Sequence, residues 1–174
     1  MGPMNDNSNR ILILALGNDI MGDDAAGLIA ARELKKIFGA DVDIFEVSSA
    51  GFSLMDVLEG YRKVLILDSI PSSGFAECSI RELSKEDLSH QFSLSPHYVG
   101  IPELMELAKR LTISFPDEVR ALVIDIRDSG IIREGLSAEI EDKIPILVEK
   151  ASRIIKPWLS QEIYLEWQAE IDSP

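Results

Sequence analysis

Two aspartates and one histidine stand out in this chain because their types and positions suit metal chemistry. Asp24 follows an apolar run, Asp68 ends another, and His97 lies in a Ser-Pro-His-Tyr segment. Two carboxylates and one imidazole suit a divalent metal of the nickel or zinc kind. Three protein ligands would also leave coordination positions open for a substrate.

Each of these residues has an ordinary structural explanation as well. Asp23 suits the N-cap of a helix, and Asp24 suits its first turn, where the helix dipole favours negative charge. Asp68 suits a turn before Pro71, and a loop histidine such as His97 commonly has a satisfied hydrogen bond. Spacing along the chain leaves both interpretations open.

The segment around Asp24 predicts a strand that leads directly into a helix. Residues 10–16 form an apolar run typical of a strand covered on both faces, and the apolar spacing over 25–38 is helical. Loops at the carboxyl ends of parallel strands are where open α/β sheets bind ligands. The glycines match neither the GxGxxG fingerprint nor a phosphate loop, so a nucleotide-binding domain is disfavoured.

The rest of the pattern predicts an α/β fold. We expect further strands over 41–47, 64–68, 76–83 and 119–126, and helices over 52–58, 102–111 and 137–155. The link before 76–83 is too short for a parallel crossover, so that strand should be antiparallel and at an edge. The expected fold is a three-layer sandwich with helices on both faces of a mixed, mostly parallel five-stranded sheet.

We expect one domain over residues 1–174, with a flexible N-terminus at 1–9, an α/β core at 10–157 and a C-terminal helical tail at 158–174. Pro145 should kink the helix predicted at 137–155, and Pro157 should end that helix. The tail has helical apolar spacing, which favours packing against the domain over an interaction helix for a partner. The residues with that spacing are Ile163, Tyr164, Trp167 and Ile171.

The composition excludes several classes of function. With 17 basic and 30 acidic residues the net charge is -13, which argues against binding nucleic acid through phosphates. The single cysteine, Cys78, fits a reducing compartment and lies in no recognisable catalytic triad, so a cysteine or serine protease is disfavoured. No apolar run approaches the roughly 18 residues of a membrane span. We therefore expect a cytoplasmic protein that is a monomer.

An ordered set of motifs over about residues 10–155 resembles the nickel-iron hydrogenase maturation endopeptidases. The motifs that carry the resemblance are Leu16-Gly17-Asn18, Asp23-Asp24, Gly27, Ser49-Ala50-Gly51, Leu58-Glu59-Gly60-Tyr61, Asp68, Ser95-Pro96-His97, Gly100 and Glu103-Leu104. The resemblance implies a mixed five-stranded sheet between helices. It also implies that the substrate is the precursor of a hydrogenase large subunit, from which such enzymes remove a C-terminal extension once nickel is inserted.

In that family three residues bind a metal at the strand ends, and the motifs place them on Asp24, Asp68 and His97 of this chain. Nickel would arrive within the precursor, and zinc or another divalent metal could substitute for it. Asp24 and Asp68 are the candidate catalytic residues, because a carboxylate not fully engaged with metal can act as the base for an attacking water.

Two further residues are candidates to contact the substrate. Asn18 and the backbone at Gly51 lie in the loops around the predicted site and could hold the substrate peptide or an oxyanion. Glycines at such positions also serve tight turns.

The resemblance has one departure and leaves one functional alternative. After its last strand the family often carries a Gly-Val/Ile-Glu-Pro-like segment, and this chain has Asp125-Ile126-Arg127-Asp128 there. The alternative is a non-catalytic module that senses or carries nickel through the same three ligands. It predicts metal binding without cleavage of a precursor.

Overall fold

The structure is a computed structural model that describes residues 10–48, 53–72, 78–84, 87–88, 101–127 and 132–171, without the side chains of 53, 101–105 and 162–171. His97, Gly51 and the N-terminal residues 1–9 lie outside the described residues, as do the tail side chains named above. Helices of the described part are too short or too polar to cross a membrane.

Five strands form one sheet with the spatial order β2-β1-β3-β5-β4. Neighbouring strands are parallel except β4, which is antiparallel to β5 and lies at the edge, so the predicted fold class is confirmed. The central strand β1 is buried along its whole length, as its unbroken apolar run predicts. The strands are β1 (Ile11–Leu16), β2 (Val42–Val47), β3 (Lys63–Pro71), β4 (Ile80–Ser84) and β5 (Glu118–Ile126).

Helices cover both faces of the sheet and create two hydrophobic cores. Leu12, Leu14 and Leu16 of β1 pack on one side with α2 and α3, while Ile11 and Ile13 pack on the other with α1 and α5. This alternation follows from the twofold period of side chains along a strand. The helices are α1 (Ala26–Phe38), α2 (Ser53–Leu58), α3 (Ile101–Leu111), α4 (Ala138–Glu141) and α5 (Ile144–Ile171).

Several helices and strands begin or end at residues other than those predicted. A 3-10 helix, Gly22–Ala25, precedes α1, whose N-cap residue Ala25 makes no side-chain cap, so the expectation that Asp23 caps the helix is wrong. Strand β3 continues past Asp68 to Pro71. The described part of the predicted strand 76–83 is extended only from Ile80, and Cys78 therefore precedes β4.

The proline predictions for the last helix are wrong. Ser137 caps α4 by accepting a hydrogen bond from the Ile140 N–H, but α4 is short and α5 begins separately at Ile144. Pro145 thus lies in the first turn of α5, where its missing N–H costs little. Helix α5 continues through Pro157, although an interior proline costs about 3 kcal/mol. Burial of Trp158 in the core offsets that cost.

Asp23 joins the loop after β1 to the segment that precedes α4. Its Oδ1 accepts hydrogen bonds from the Ser137 N–H at 2.6 Å and from Arg133 Nη2 at 3.2 Å, and its Oδ2 accepts one from Ser137 Oγ at 2.8 Å. The Gly22 N–H also donates to the Arg133 carbonyl at 2.8 Å, and the Arg133 N–H donates to the Ile20 carbonyl at 3.1 Å. The two segments are therefore braced by backbone and side-chain contacts together.

Helix α1 begins in direct contact with the ends of two strands. A Cβ at Gly27 would lie 2.6 Å from the Leu67 carbonyl oxygen of β3 and 2.8 Å from the Leu16 carbonyl oxygen of β1. Real Cβ atoms do not come that close to backbone. Only glycine therefore permits α1 to start at this distance from the sheet.

The variant Gly27→Ala should be less stable, with the free energy of unfolding lowered by about 1 to 3 kcal/mol, because α1 must move away from both strands. Helix propensity alone predicts the opposite sign, a gain of about 1 kcal/mol. Urea unfolding followed by circular dichroism measures the change. Lys36→Ala on the exposed face of α1 is the control, and a stability equal to or above that of the control would contradict this packing argument.

The variant Asp23→Ala should lower the free energy of unfolding by about 2 to 3 kcal/mol, because it leaves the Ser137 and Arg133 donors without their acceptor. Urea unfolding followed by circular dichroism measures this loss of stability. Asp117→Ala serves as the control, since Asp117 forms an exposed ion pair with Arg62 at 3.1 Å that contributes little. Equal losses in the two variants would mean that the Asp23 contacts do not brace the fold.

Candidate active site

Asp24 lies in the 3-10 helix between β1 and α1 and is buried, with 7% of its surface exposed. Its Oδ1 accepts a hydrogen bond from Ser69 Oγ at 2.9 Å. The side chain therefore reaches from the loop after β1 to the neighbouring strand β3. This is the carboxyl edge of the sheet, where the sequence predicts a ligand site.

Asp68 is fully buried in β3, three residues before the strand ends. Its Oδ1 accepts a hydrogen bond from the Ser69 N–H at 2.7 Å. The pairing of β1 with β3 extends to Ala15 and Leu67, so Asp68 is the first residue of β3 beyond it. The next residue of β3, Ser69, contacts the turn that carries Asp24.

Ser69 connects the two aspartates and is not among the site residues that the sequence predicts. Its hydroxyl donates to Asp24 and its backbone N–H donates to Asp68, so both carboxylates lie within hydrogen-bond distance of a single residue. The only signal available in the sequence was the position of Ser69 directly after Asp68. The reach of its hydroxyl to a residue 45 positions away depends on the tertiary structure.

Gly17 brings the turn that carries Asp24 close to the end of β1. Its φ is +146°, and a Cβ there would lie 2.1 Å from the Asp24 carbonyl oxygen. Any other residue would push the turn outward and move Asp24 away from Ser69. Gly17 therefore ends the first apolar run and also allows the turn to place Asp24 in the site.

The pair of carboxylates fits a divalent cation chemically. Burying carboxylates is costly unless donors or a cation stabilise them, and carboxylate oxygens are good ligands for divalent metals. Across the described residues, no cluster of three or more His, Cys, Asp or Glu side chains is arranged to hold a metal ion. The third predicted ligand, His97, lies outside that part of the chain, so the set of three ligands stays a prediction.

Asn18 lies in the same loop and is half-buried. Its Oδ1 accepts a hydrogen bond from the Ile20 N–H at 3.2 Å, and its carbonyl accepts one from the Met21 N–H at 3.1 Å. Asn18 therefore shapes the loop, and its predicted contact with substrate stays a prediction.

Other carboxylates near this edge of the sheet are bound to arginines. Arg32 donates to Asp19, and this hydrogen bond keeps the pKa of the exposed Asp19 carboxyl below its usual value. Buried Asp125, in β5, accepts hydrogen bonds from Ser79 Oγ and, at 2.9 Å, from Arg81 Nη2. These contacts explain both carboxylates structurally.

Cys78 does not have the environment of a nucleophile. It is buried, and burial raises the pKa of its thiol, with a hydrogen bond to Glu139 raising it further. A high pKa disfavours the thiolate that nucleophilic catalysis requires. The geometry thus agrees with the expectation that this chain is not a cysteine protease.

In sequence, this chain is similar to hydrogenase maturation proteases. Residues 29–154 match the family model HycI, hydrogenase maturation protease, a span that contains Asp68 and His97 and begins after Asp24. The chain is 28% identical over 156 residues to the hydrogenase 2 maturation protease of Escherichia coli K12, covering 87% of each sequence.

Two solved structures resemble the fold. The hydrogenase maturating endopeptidase HybD of E. coli has a TM-score of 0.75 at 23% identity, over 85% of this chain and 93% of that one. The NiFe hydrogenase maturation protease HybD of Thermococcus kodakarensis has a TM-score of 0.67 at 29% identity, over 83% of this chain and 98% of that one. Since the family model also covers well over half of the sequence, this chain belongs to the hydrogenase maturation protease family.

Proposed function

We propose that this chain is an endopeptidase that removes the C-terminal extension from the nickel-loaded large-subunit precursor of a nickel-iron hydrogenase. The observation that carries the proposal is the buried pair Asp24 and Asp68, joined through Ser69 at the carboxyl edge of the sheet. A pair of buried carboxylates at this edge suits both metal recognition and proton transfer. Membership of the family supplies the substrate class.

The nickel ion in this proposal belongs to the substrate. Asp24, Asp68 and His97 bind the nickel already inserted in the precursor, which places the scissile bond beside the two carboxylates. Oxygen and imidazole ligands suit nickel, and three protein ligands leave positions for the precursor's own ligands. Recognition of nickel in this way restricts cleavage to precursors that have received their metal.

Hydrolysis at this position requires a water, a base and a proton for the leaving amine. The oxygen of the water attacks the scissile carbonyl carbon, and one of the two aspartates accepts the water's proton. The C–N bond then breaks, and the same carboxyl returns the proton to the leaving amine. The reaction is therefore of the aspartic type and depends on the metal. Asn18 and the backbone at Gly51 hold the substrate peptide beside the two carboxylates.

Ser69 contributes to this scheme by holding Asp24. The hydrogen bond from its hydroxyl fixes the Asp24 carboxylate against β3 at 2.9 Å. A carboxylate held in one orientation loses less conformational entropy on binding metal than one that rotates freely. Because the donor is neutral, it does not compete with the carboxylate's attraction for a cation.

The variants Asp24→Asn, Asp68→Asn and His97→Ala should each reduce cleavage of a nickel-loaded precursor by roughly 100-fold or more, since each removes a metal ligand and two remove a candidate base. Mass spectrometry of the precursor detects loss of the C-terminal peptide. The control is Asp117→Asn, which changes an exposed aspartate whose side chain is 72% accessible. Circular dichroism checks that each variant is folded.

Two outcomes would contradict this proposal. Full cleavage by folded Asp24→Asn and Asp68→Asn variants would exclude both aspartates from the site. Metal binding through these residues without cleavage of any matched precursor would favour the nickel-sensing or carrier module instead.

Removal of nickel from the precursor should abolish cleavage and weaken binding to the unmodified chain by roughly tenfold or more, because the metal is part of what the site recognises. Precursor purified from nickel-depleted cells, with and without added nickel, provides the comparison. A zinc-loaded precursor shows whether another divalent metal substitutes. Equal binding and cleavage of the nickel-free precursor would contradict recognition through the metal.

A further inference from the structure

Arg32, on helix α1, binds two carboxylates from different parts of the chain. Its Nη1 and Nη2 donate to the two oxygens of Asp19 at 3.0 and 2.8 Å. Its Nε and Nη2 donate to the two oxygens of Glu46 at 2.8 and 2.5 Å. We call these three residues the Arg32 cluster. A planar guanidinium that binds each carboxylate with two N–H groups has a defined orientation, which a single point contact does not impose.

The Arg32 cluster joins three elements at the carboxyl edge of the sheet. Asp19 lies in the loop after β1, and Arg32 lies in α1. Glu46 is the next-to-last residue of β2 and is paired with Ala15 of β1. Because β2 flanks β1 on the side opposite to β3, the cluster fastens the loop from the side opposite to Ser69.

Two linked backbone turns connect Asp19 to Asp24. The Met21 N–H donates to the Asn18 carbonyl at 3.1 Å, and the Asp24 N–H donates to the Met21 carbonyl at 3.1 Å. Asp19 thus lies inside the first turn, and Asp24 closes the second. A displacement of Asp19 would therefore shift the backbone from which the Asp24 side chain reaches Ser69.

Side chains fasten this loop to the rest of the domain at both of its ends. Asp23, at the far end, accepts hydrogen bonds from Ser137 and Arg133. At the near end the Asp19 side chain is 54% exposed, so burial does not hold it. The contacts of Asp19 with Arg32 supply the attachment there.

From these contacts we infer that Arg32 is a positioning residue of the candidate site, which holds the loop after β1 so that Asp24 stays against Ser69. The inference rests on the proposed function for its effect on cleavage, whereas its effect on the loop is measured without substrate. Exposed ion pairs contribute little to the stability of a fold, so loss of Arg32 should change the site more than it changes unfolding. Misplacement of a reacting group by about 1 Å can slow a reaction about 100-fold, so a loosened loop should lower kcat.

The test compares Arg32→Gln with Arg62→Gln. Arg62 is a matched control because its ion pair with Asp117 is similarly exposed, with 49% of the Arg62 side chain accessible against 44% for Arg32. It also directly precedes β3, at the opposite edge of the sheet. Arg32→Gln alone should speed hydrogen exchange of the Met21 and Asp24 N–H groups by roughly fivefold or more, as measured by NMR. On a nickel-loaded precursor it should lower kcat roughly tenfold, with KM changed by less than about twofold.

A double variant shows whether Arg32 acts through Asp19. Asp19→Asn alone should lower kcat by a similar factor, and adding Arg32→Gln should lower it no further, because both changes remove the same contact. Fully additive losses would contradict action through Asp19. Arg32→Lys should recover only part of the loss, because an ammonium group does not bind both carboxylates with paired N–H groups.

The outcomes separate this inference from the proposed function. An unchanged kcat in Arg32→Gln would overturn the role of Arg32, and so would a raised KM with unchanged kcat, which would mean that Arg32 binds the substrate directly. If the unmodified chain cleaves no matched precursor, the proposed function fails and hydrogen exchange decides the role of Arg32. Unchanged exchange at Met21 and Asp24 then overturns that role, and faster exchange supports it.

Discussion

The site depends on the close approach of backbone to backbone at the ends of β1 and β3. Gly27 lets α1 begin against the carbonyl oxygens of Leu16 and Leu67, and Gly17 lets the preceding turn fold back onto the end of β1. Together they place Asp24 where the Ser69 hydroxyl reaches it. The absence of a Cβ at these two glycines thus sets the position of the Asp24 carboxylate.

The chain stabilises its buried carboxylates in two ways. Asp23 and Asp125 each accept a hydrogen bond from an arginine, and these contacts connect segments of the fold. Asp24 accepts a hydrogen bond from the Ser69 hydroxyl, and Asp68 accepts one from the Ser69 N–H. Because these two donors are neutral, they orient the carboxylates without cancelling their negative charge.

The regular elements were largely predictable because their patterns are local. Unbroken apolar runs marked the central strands, and a short link marked β4 as an antiparallel edge strand, as observed. The prediction that Pro157 ends the helix is wrong, because the burial of Trp158 offsets the local cost of the proline. The role of Asp23 was missed for a similar reason, since its partner Ser137 is 114 residues away.

By itself, the sequence determined the fold class and the family of the chain, since these depend on periodicity and on an ordered set of motifs. It also predicted that Asp24 and Asp68 lie near the carboxyl ends of two strands, although β3 continues past Asp68 to Pro71. Metal binding by these two residues and His97 stays a prediction. The tertiary structure alone decided that Ser69 links both carboxylates and that Asp23 joins the loop after β1 to Arg133 and Ser137. Such contacts join residues far apart in the chain, and their distances depend on how helices pack against strands.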